Sequence, residues 1–145
     1  LINKMFIFSF FLSILFTCNM NQPDAISEIK SVLEKQQNAW NTGDIEGFMQ
    51  GYWQSEELVF ESENGIAKGW KNTLARYKKV YPNKKRMGSL VFKILDVKLK
   101  NDSIATLKGK WEVIRKNDTP KGGFLLTFNK IKCQWLIVKD YTTSE

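Results

Sequence analysis

The sequence predicts an α+β fold, with three helices in the N-terminal half packed on the concave face of a curved, cone-shaped antiparallel sheet. Three observations predict it. Apolar residues recur at helical spacing between residues 24 and 52 and again over 69–82. Alternation with a period of two takes over from residue 88 to the end. Inside one of those strands the alternation changes phase, as it does where a bulge bends a sheet. The 145 residues, 43% hydrophobic and 13% aromatic, suffice for one domain with a packed core and are too few for two of ordinary size.

The chain opens on LINKMFIFSFFLSILFT, one lysine followed by an almost unbroken apolar run from Met5 to Phe16. That run is short for a spanning helix and has the order of a secretory signal, so residues 1–17 are expected to be a signal peptide. Leu15-Phe16-Thr17-Cys18 resembles a bacterial lipobox, with leucine three residues before the cysteine. Lipidation at Cys18 is therefore expected, and with it an exported protein anchored in the bacterial cell envelope. A plain signal with an incidental cysteine is the alternative. Removing residues 1–17 takes only Lys4, leaving 21 basic and 15 acidic residues and a net charge of +6. With Cys18 acylated, one thiol remains, Cys133, read as a small filler where a strand begins, in a domain that no intramolecular disulfide staples.

Residues 18–23 read as a tether and 24–143 as the domain. Asp24 can cap a first helix with Ile26, Ile29, Leu33 and Trp40 on its apolar stripe, ending near Gly43. Asp44 caps a second, shorter helix with Ile45, Phe48, Met49 and Tyr52 on one side. LVFESENGIAKGW at 58–70 signals a hairpin turning at Asn64-Gly65, with Phe60, Ser62, Ala67 and Gly69 on an inward face. In this register Glu61 stands opposite Lys68 on the other face. GWKNTLARYKKVYP at 69–82 places Trp70, Leu74, Tyr77 and Tyr81 on one stripe and Lys71, Arg76, Lys78 and Lys79 on the other. A basic loop, 83–86, leads into strands. Leu90, Phe92 and Ile94 alternate before the phase changes to Val97 and Leu99. Ala105, Leu107, Gly109, Trp111, Val113 and Arg115 share one face of the next strand. Phe124, Leu126 and Phe128 follow, then Trp135, Ile137 and Tyr141. Several strands look apolar on both faces, so a second copy of the chain is expected to cover the outer one.

This order, carried by AWNTGDIEGFMQGYW at 39–53, GWKNTLARYKKVYP at 69–82, KGKWEVIR at 108–115 and WLIVKDYTT at 135–143, resembles the nuclear transport factor 2-like superfamily. Ketosteroid isomerase, the SnoaL-like polyketide cyclases and the association domain of calmodulin-dependent kinase share that cystatin-like fold. The nearest resemblance is to a bacterial branch of unknown function. It implies a cavity between the helices and the concave sheet face. Relatives usually read Asp-His-Thr/Ser at the end of the last strand, where this chain reads Asp140-Tyr141-Thr142 and has no histidine anywhere.

Without histidine, Ser-His-Asp catalysis and imidazole metal sites are excluded. Acid–base work would fall to a carboxylate or a tyrosine. The isomerase branch carries its catalytic aspartate on the first hairpin, where Ser62 stands here, which disfavours that chemistry. Asp140 remains a weak catalytic candidate, because strict alternation turns it away from Trp135 and Tyr141. The sequence leans towards binding rather than catalysis, with no cofactor or metal implied. The expected pocket wall is Trp53, Phe60, Ser62, Trp70, Tyr77, Tyr81, Trp111, Arg115 and Tyr141, suited to a small aromatic or anionic molecule. Trp70, Trp111 and Trp135 are weighted towards core packing. Nucleic acid is disfavoured, since the lysines of 78–86 and the inward tyrosines do not share a platform. A dimeric scaffold with a residual pocket and an isomerase- or cyclase-like enzyme stand as alternatives.

Overall fold

The computed structural model describes residues 24–145, so the expected signal peptide, the tether and Cys18 lie outside the described residues. Helix α1 (Ala25–Asn41) starts at Asp24, whose carboxylate accepts from the Ile26 N–H. It buries Ile29, Leu33, Gln36 and Trp40. Gln36 was not foreseen on that stripe, and it is satisfied by donating Nε2–H to the Phe48 carbonyl at 3.0 Å. Gly43, at φ +85°, reverses the chain. Asp44 then caps α2 (Ile45–Met49) by accepting from the Gly47 N–H at 2.7 Å.

Strands β1 (Val59–Ser62) and β2 (Gly65–Lys68) form the expected hairpin with a different register. Ser62 pairs with Gly65 and Phe60 with Ala67, so the turn residues are Glu63 and Asn64. Relative to the sequence reading the pairing slips by two residues. A slip of two keeps every side chain on its face, so Phe60, Ser62 and Ala67 still share one side. It does move Glu61 from Lys68 to a place opposite Ile66, and its carboxylate lies 3.7 Å from Lys139 instead.

Helix α3 (Trp70–Val80) follows, and the expected basic loop is in fact a one-turn helix, α4 (Lys84–Met87), capped by Asn83 accepting from the Arg86 N–H. The rest is four long strands: β3 (Ser89–Leu99), β4 (Ile104–Ile114), β5 (Lys121–Ile131) and β6 (Gln134–Ser144). The sheet runs β2-β1-β6-β5-β4-β3. Every pairing is antiparallel except β1 with β6, so the sheet is mixed rather than wholly antiparallel. The chain must cross over from β1 to reach β6 in the same direction.

Two bulges shape the sheet. The first lies between Ile94 and Asp96, where the side-chain phase changes as expected. The second lies in β6: Phe128 pairs with Ile137 and Thr127 with Lys139, leaving Val138 as the extra residue. Lys132 and Cys133, both at positive φ, make the two-residue turn into β6. Cys133 is disulfide-bonded, which corrects the expectation of a domain without a disulfide.

One core joins the helices to the inner sheet face, centred on Ile29, Leu33, Met49, Leu58, Leu107, Phe128 and Ile137. The outer face is less apolar than expected. Leu125 and Tyr141 sit side by side there, each about half exposed, but Lys108 and Lys110 of β4 share that face.

Candidate functional site

The bulge at Val138 decides what the cavity contains. With one extra residue, Trp135 and Ile137 face inwards and so, beyond it, do Asp140 and Thr142, while Tyr141 turns out. Asp140 is 4% exposed. Parallel pairing sets it beside Phe60, and Thr142 beside Ser62. The segment after α2 is held against the same strand: the Ile137 N–H donates to the Gly51 carbonyl and the Trp53 N–H to the Ile137 carbonyl, both at 2.9 Å. Tyr52 is thereby fixed with its hydroxyl on Asp140 Oδ2, donating at 2.7 Å. Helix α3 supplies the opposing wall. Gly69, at φ +86°, starts it without a side-chain cap, and Trp70 Nε1–H donates to the Met49 carbonyl at 2.9 Å, tying α3 to α2.

These elements enclose a cavity of about 180 Å³. Its wall is built from Trp40, Phe48, Phe60, Tyr77, Tyr81 and Trp111, with Phe92 and Phe124 from the sheet. Tyr77 is the hub: its ring meets Phe48 at 5.2 Å, Phe60 at 5.6 Å and Trp40 at 6.2 Å, all edge-to-face. At the inner end the Tyr77 hydroxyl lies 3.5 Å from that of Tyr52. Asp140, Tyr52 and Tyr77 therefore form one polar cluster in an aromatic chamber. Among the described residues two buried side-chain polar atoms lack a hydrogen-bond partner, Trp135 Nε1 and Asp140 Oδ1, and the second belongs to this cavity.

Burial raises the Asp140 pKa to about 7, against a smaller opposing pull from the Tyr52 hydrogen bond. Burial, and then the negative charge of Asp140, push Tyr52 and Tyr77 well above the usual phenol value. Tyr81 is raised by burial, with Arg115 and Arg86 pulling the other way. Near neutral pH, then, the cluster has one carboxyl that exchanges a proton and two phenols that keep theirs. It can accept or donate a hydrogen bond to a bound molecule at Oδ1.

Of the expected wall, the cavity holds Phe60, Ser62, Tyr77, Tyr81 and Trp111, and it also holds Asp140. Tyr141 is displaced to the outer face by the bulge. Trp53 is half-buried outside the lining, and Trp70 packs against the core. Arg115 is also outside. Beyond the end of β4 a tight turn returns Asp118, whose two carboxylate oxygens accept from Nε at 2.7 Å and an Nη at 2.8 Å. Arg76, placed by periodicity on the outer side of α3, reaches the mouth instead. It lies 5.1 Å from the centre of the Phe60 ring and donates to Ser62 Oγ at 2.6 Å and the Gly65 carbonyl at 3.1 Å. Trp40, Phe48 and Tyr52 were legible as helix stripes but not as cavity wall, because their convergence depends on how the helices cross.

No family model and no curated protein matches the chain. Solved structures do. An NTF-2 like protein of unknown function from Shewanella oneidensis is 41% identical, with a TM-score of 0.79, over 81% of this chain and 98% of its own. A domain of unknown function with a cystatin-like fold from Nostoc punctiforme is 23% identical, with a TM-score of 0.71, over 83% and 76%. A ketosteroid isomerase-like protein from Erwinia carotovora atroseptica is 15% identical, with a TM-score of 0.69, over 85% and 98%, a likeness of fold alone. Given 41% identity along almost the whole of the Shewanella protein, and the helix order, mixed curved sheet and cavity described above, this chain belongs to the nuclear transport factor 2-like superfamily.

Proposed function

We propose that the protein binds a small, partly aromatic molecule in the cavity, with one polar group of that molecule against Asp140. The observation that carries this reading is Asp140 Oδ1, buried without a hydrogen-bond partner in a chamber lined mainly by aromatic and aliphatic side chains. An unpaired buried carboxylate oxygen is costly, and a ligand that hydrogen-bonds to it removes the cost. A second reading is favoured by the same group. A carboxyl that titrates near 7 beside two phenols suits proton transfer to and from a bound substrate, by acid–base chemistry that needs no histidine.

The protein is exported and held at the envelope on this proposal, and it pairs with a second copy through the outer face. The apolar leader and Cys18 support the first; exposed Leu125, Tyr141 and Val91 support the second. The chain has two cysteines and Cys133 is disulfide-bonded, so a lipid on Cys18 and an intramolecular disulfide are alternatives for this chain.

Native mass spectrometry of the full chain, expressed in a bacterial host and recovered gently from its envelope, tests these together. The expected spectrum is a dimer with a small non-covalent adduct that Asp140→Asn loses. The mass of the denatured chain reads the state of Cys18. An adduct-free protein that also fails to take up any member of a panel of small aromatic alcohols, acids and amines removes the binding reading. It leaves a dimeric scaffold.

A further inference from the structure

Outside the cavity mouth lies a groove bounded by the C-terminal end of α3, α4 and the turn between β4 and β5. Asn64, Arg76 and Val80 line both spaces, so the groove continues the cavity rather than standing apart from it. Its charge is one-sided. Arg76, Lys79, Lys85, Arg86, Arg115 and Lys116 face a single acid, Asp118. Asp118 is already held by both oxygens on Arg115. Lys79, Lys85 and Lys116 are exposed, and their ammonium groups have no ion pair or hydrogen bond among the described residues. Arg76 gives two N–H groups to neutral acceptors, Ser62 and Gly65, and so keeps its full charge. Like charges gathered in a concave space repel one another and focus a positive potential into it.

We propose that the ligand is an amphipathic acid, bound with its apolar body among the cavity rings and its anionic group outside the mouth, in the groove at Arg76. This rests on the reading of the cavity as a ligand site and adds the ligand's class and direction. The reverse orientation is unfavourable. An anion pushed to the inner end would meet Asp140 among mostly apolar walls, with Arg76 left behind at the mouth, whereas an anion left outside meets the positive groove. A cavity of about 180 Å³ takes the body of a small phenyl-alkyl acid and leaves its head group at the mouth.

Isothermal titration of the envelope-purified protein with 4-phenylbutyrate, 4-phenylbutanol, 4-phenylbutylamine and butyrate tests it. The acid is expected to bind about tenfold more tightly than the alcohol, the scale of one charge-assisted hydrogen bond. That margin should shrink when salt is raised from about 0.05 M to about 0.3 M, because the groove is solvent-exposed. It should also shrink in a Lys79→Gln/Lys85→Gln variant, whose altered side chains hold nothing else in place. The alcohol or the amine binding as well as the acid overturns the amphipathic acid and leaves the cavity reading standing. Butyrate binding as tightly as phenylbutyrate also overturns it, since the groove alone then takes the anion. No binding by any of the four overturns the amphipathic acid, and the cavity reading falls with it only if the purified protein also carries no adduct in the native mass spectrum.

Discussion

Asp140 sits in an aromatic chamber with one hydrogen bond and no cation lowering its pKa, and this has a thermodynamic signature. The unfolded chain holds that proton only below the ordinary carboxylate value of 3.8, whereas the folded protein holds it up to about 7. Between those values the native state binds more protons than the unfolded one. Its contribution to stability is therefore full below the lower value, declines as the pH rises and is gone above about 7. The loss is on the order of a few kcal/mol. Asp140→Asn keeps an acceptor for Tyr52 and removes the ionisation. Urea unfolding at pH 8 should show the variant more stable than the parent by on the order of 1–3 kcal/mol, and at pH 4 the two should nearly coincide. A variant no more stable at pH 8 would mean that Asp140 is not confined as described.

Not every residue of this cluster was legible. Tyr77 and Tyr81 announce themselves by their place on an amphipathic stripe. Asp140 does not, because Trp135, Ile137 and Tyr141 all stand at odd positions, interrupted only by Lys139, so the alternation reads straight through the bulge. Tyr141, an aromatic on the outer face, imitates the next inward residue. Arg76 was misplaced for another reason: a long side chain near the edge of a helix face can bend round to either side, and here the Phe60 ring and Ser62 draw it to the mouth.

Among the elements, β3 presents an edge, since it ends the sheet. Helix α1 closes part of that edge with two amides one turn apart. Asn41 accepts from the Leu90 N–H at 2.7 Å and donates to the Leu90 carbonyl at 3.0 Å, and Gln37 accepts from the Phe92 N–H at 2.7 Å. The backbone groups that would otherwise recruit another strand are answered by side chains. Asn41→Ala leaves two of them unmet next to the core and should cost about 1–3 kcal/mol in a urea titration. A loss below about 0.5 kcal/mol would show that water replaces the amide without penalty. The bulge in β3 was legible and the one in β6 was not. In β3 the apolar pattern itself changes phase between Ile94 and Val97, so the insertion is written in side-chain chemistry. The hairpin register was misread by two residues, and the error left the faces intact because the side-chain period is also two.

At the scale of the whole molecule, β6 is the central member of the assembly. It pairs with β5 on one side and β1 on the other, receives the 51–53 segment, and delivers Asp140 to the cavity. A chain stopped after Ile131 loses all of this at once. It should be an unfolded chain without a cooperative urea transition, not a smaller domain. A residual cooperative transition in that truncated chain would refute the idea that β6 joins the two parts. The overall architecture was legible because its long alternating strands, capped helices and hairpin signal agree with one another. The groove was not, since Arg76, Lys85 and Lys116 come from three separate parts of the chain and meet only in the folded state.

The place of β6 also sets a sequence of events in time. Until β6 is made, the β1–β2 hairpin segment and the β3–β5 segment have no strand between them to join them into one sheet. The contacts that close the gap, such as Phe60 with Asp140, join distant parts of the chain and are slow to find one another. As β6 is the last of the six strands in chain order, the sheet can close only after β1 to β5 have been made, and until then the polypeptide stays pliable and exposed to chaperones.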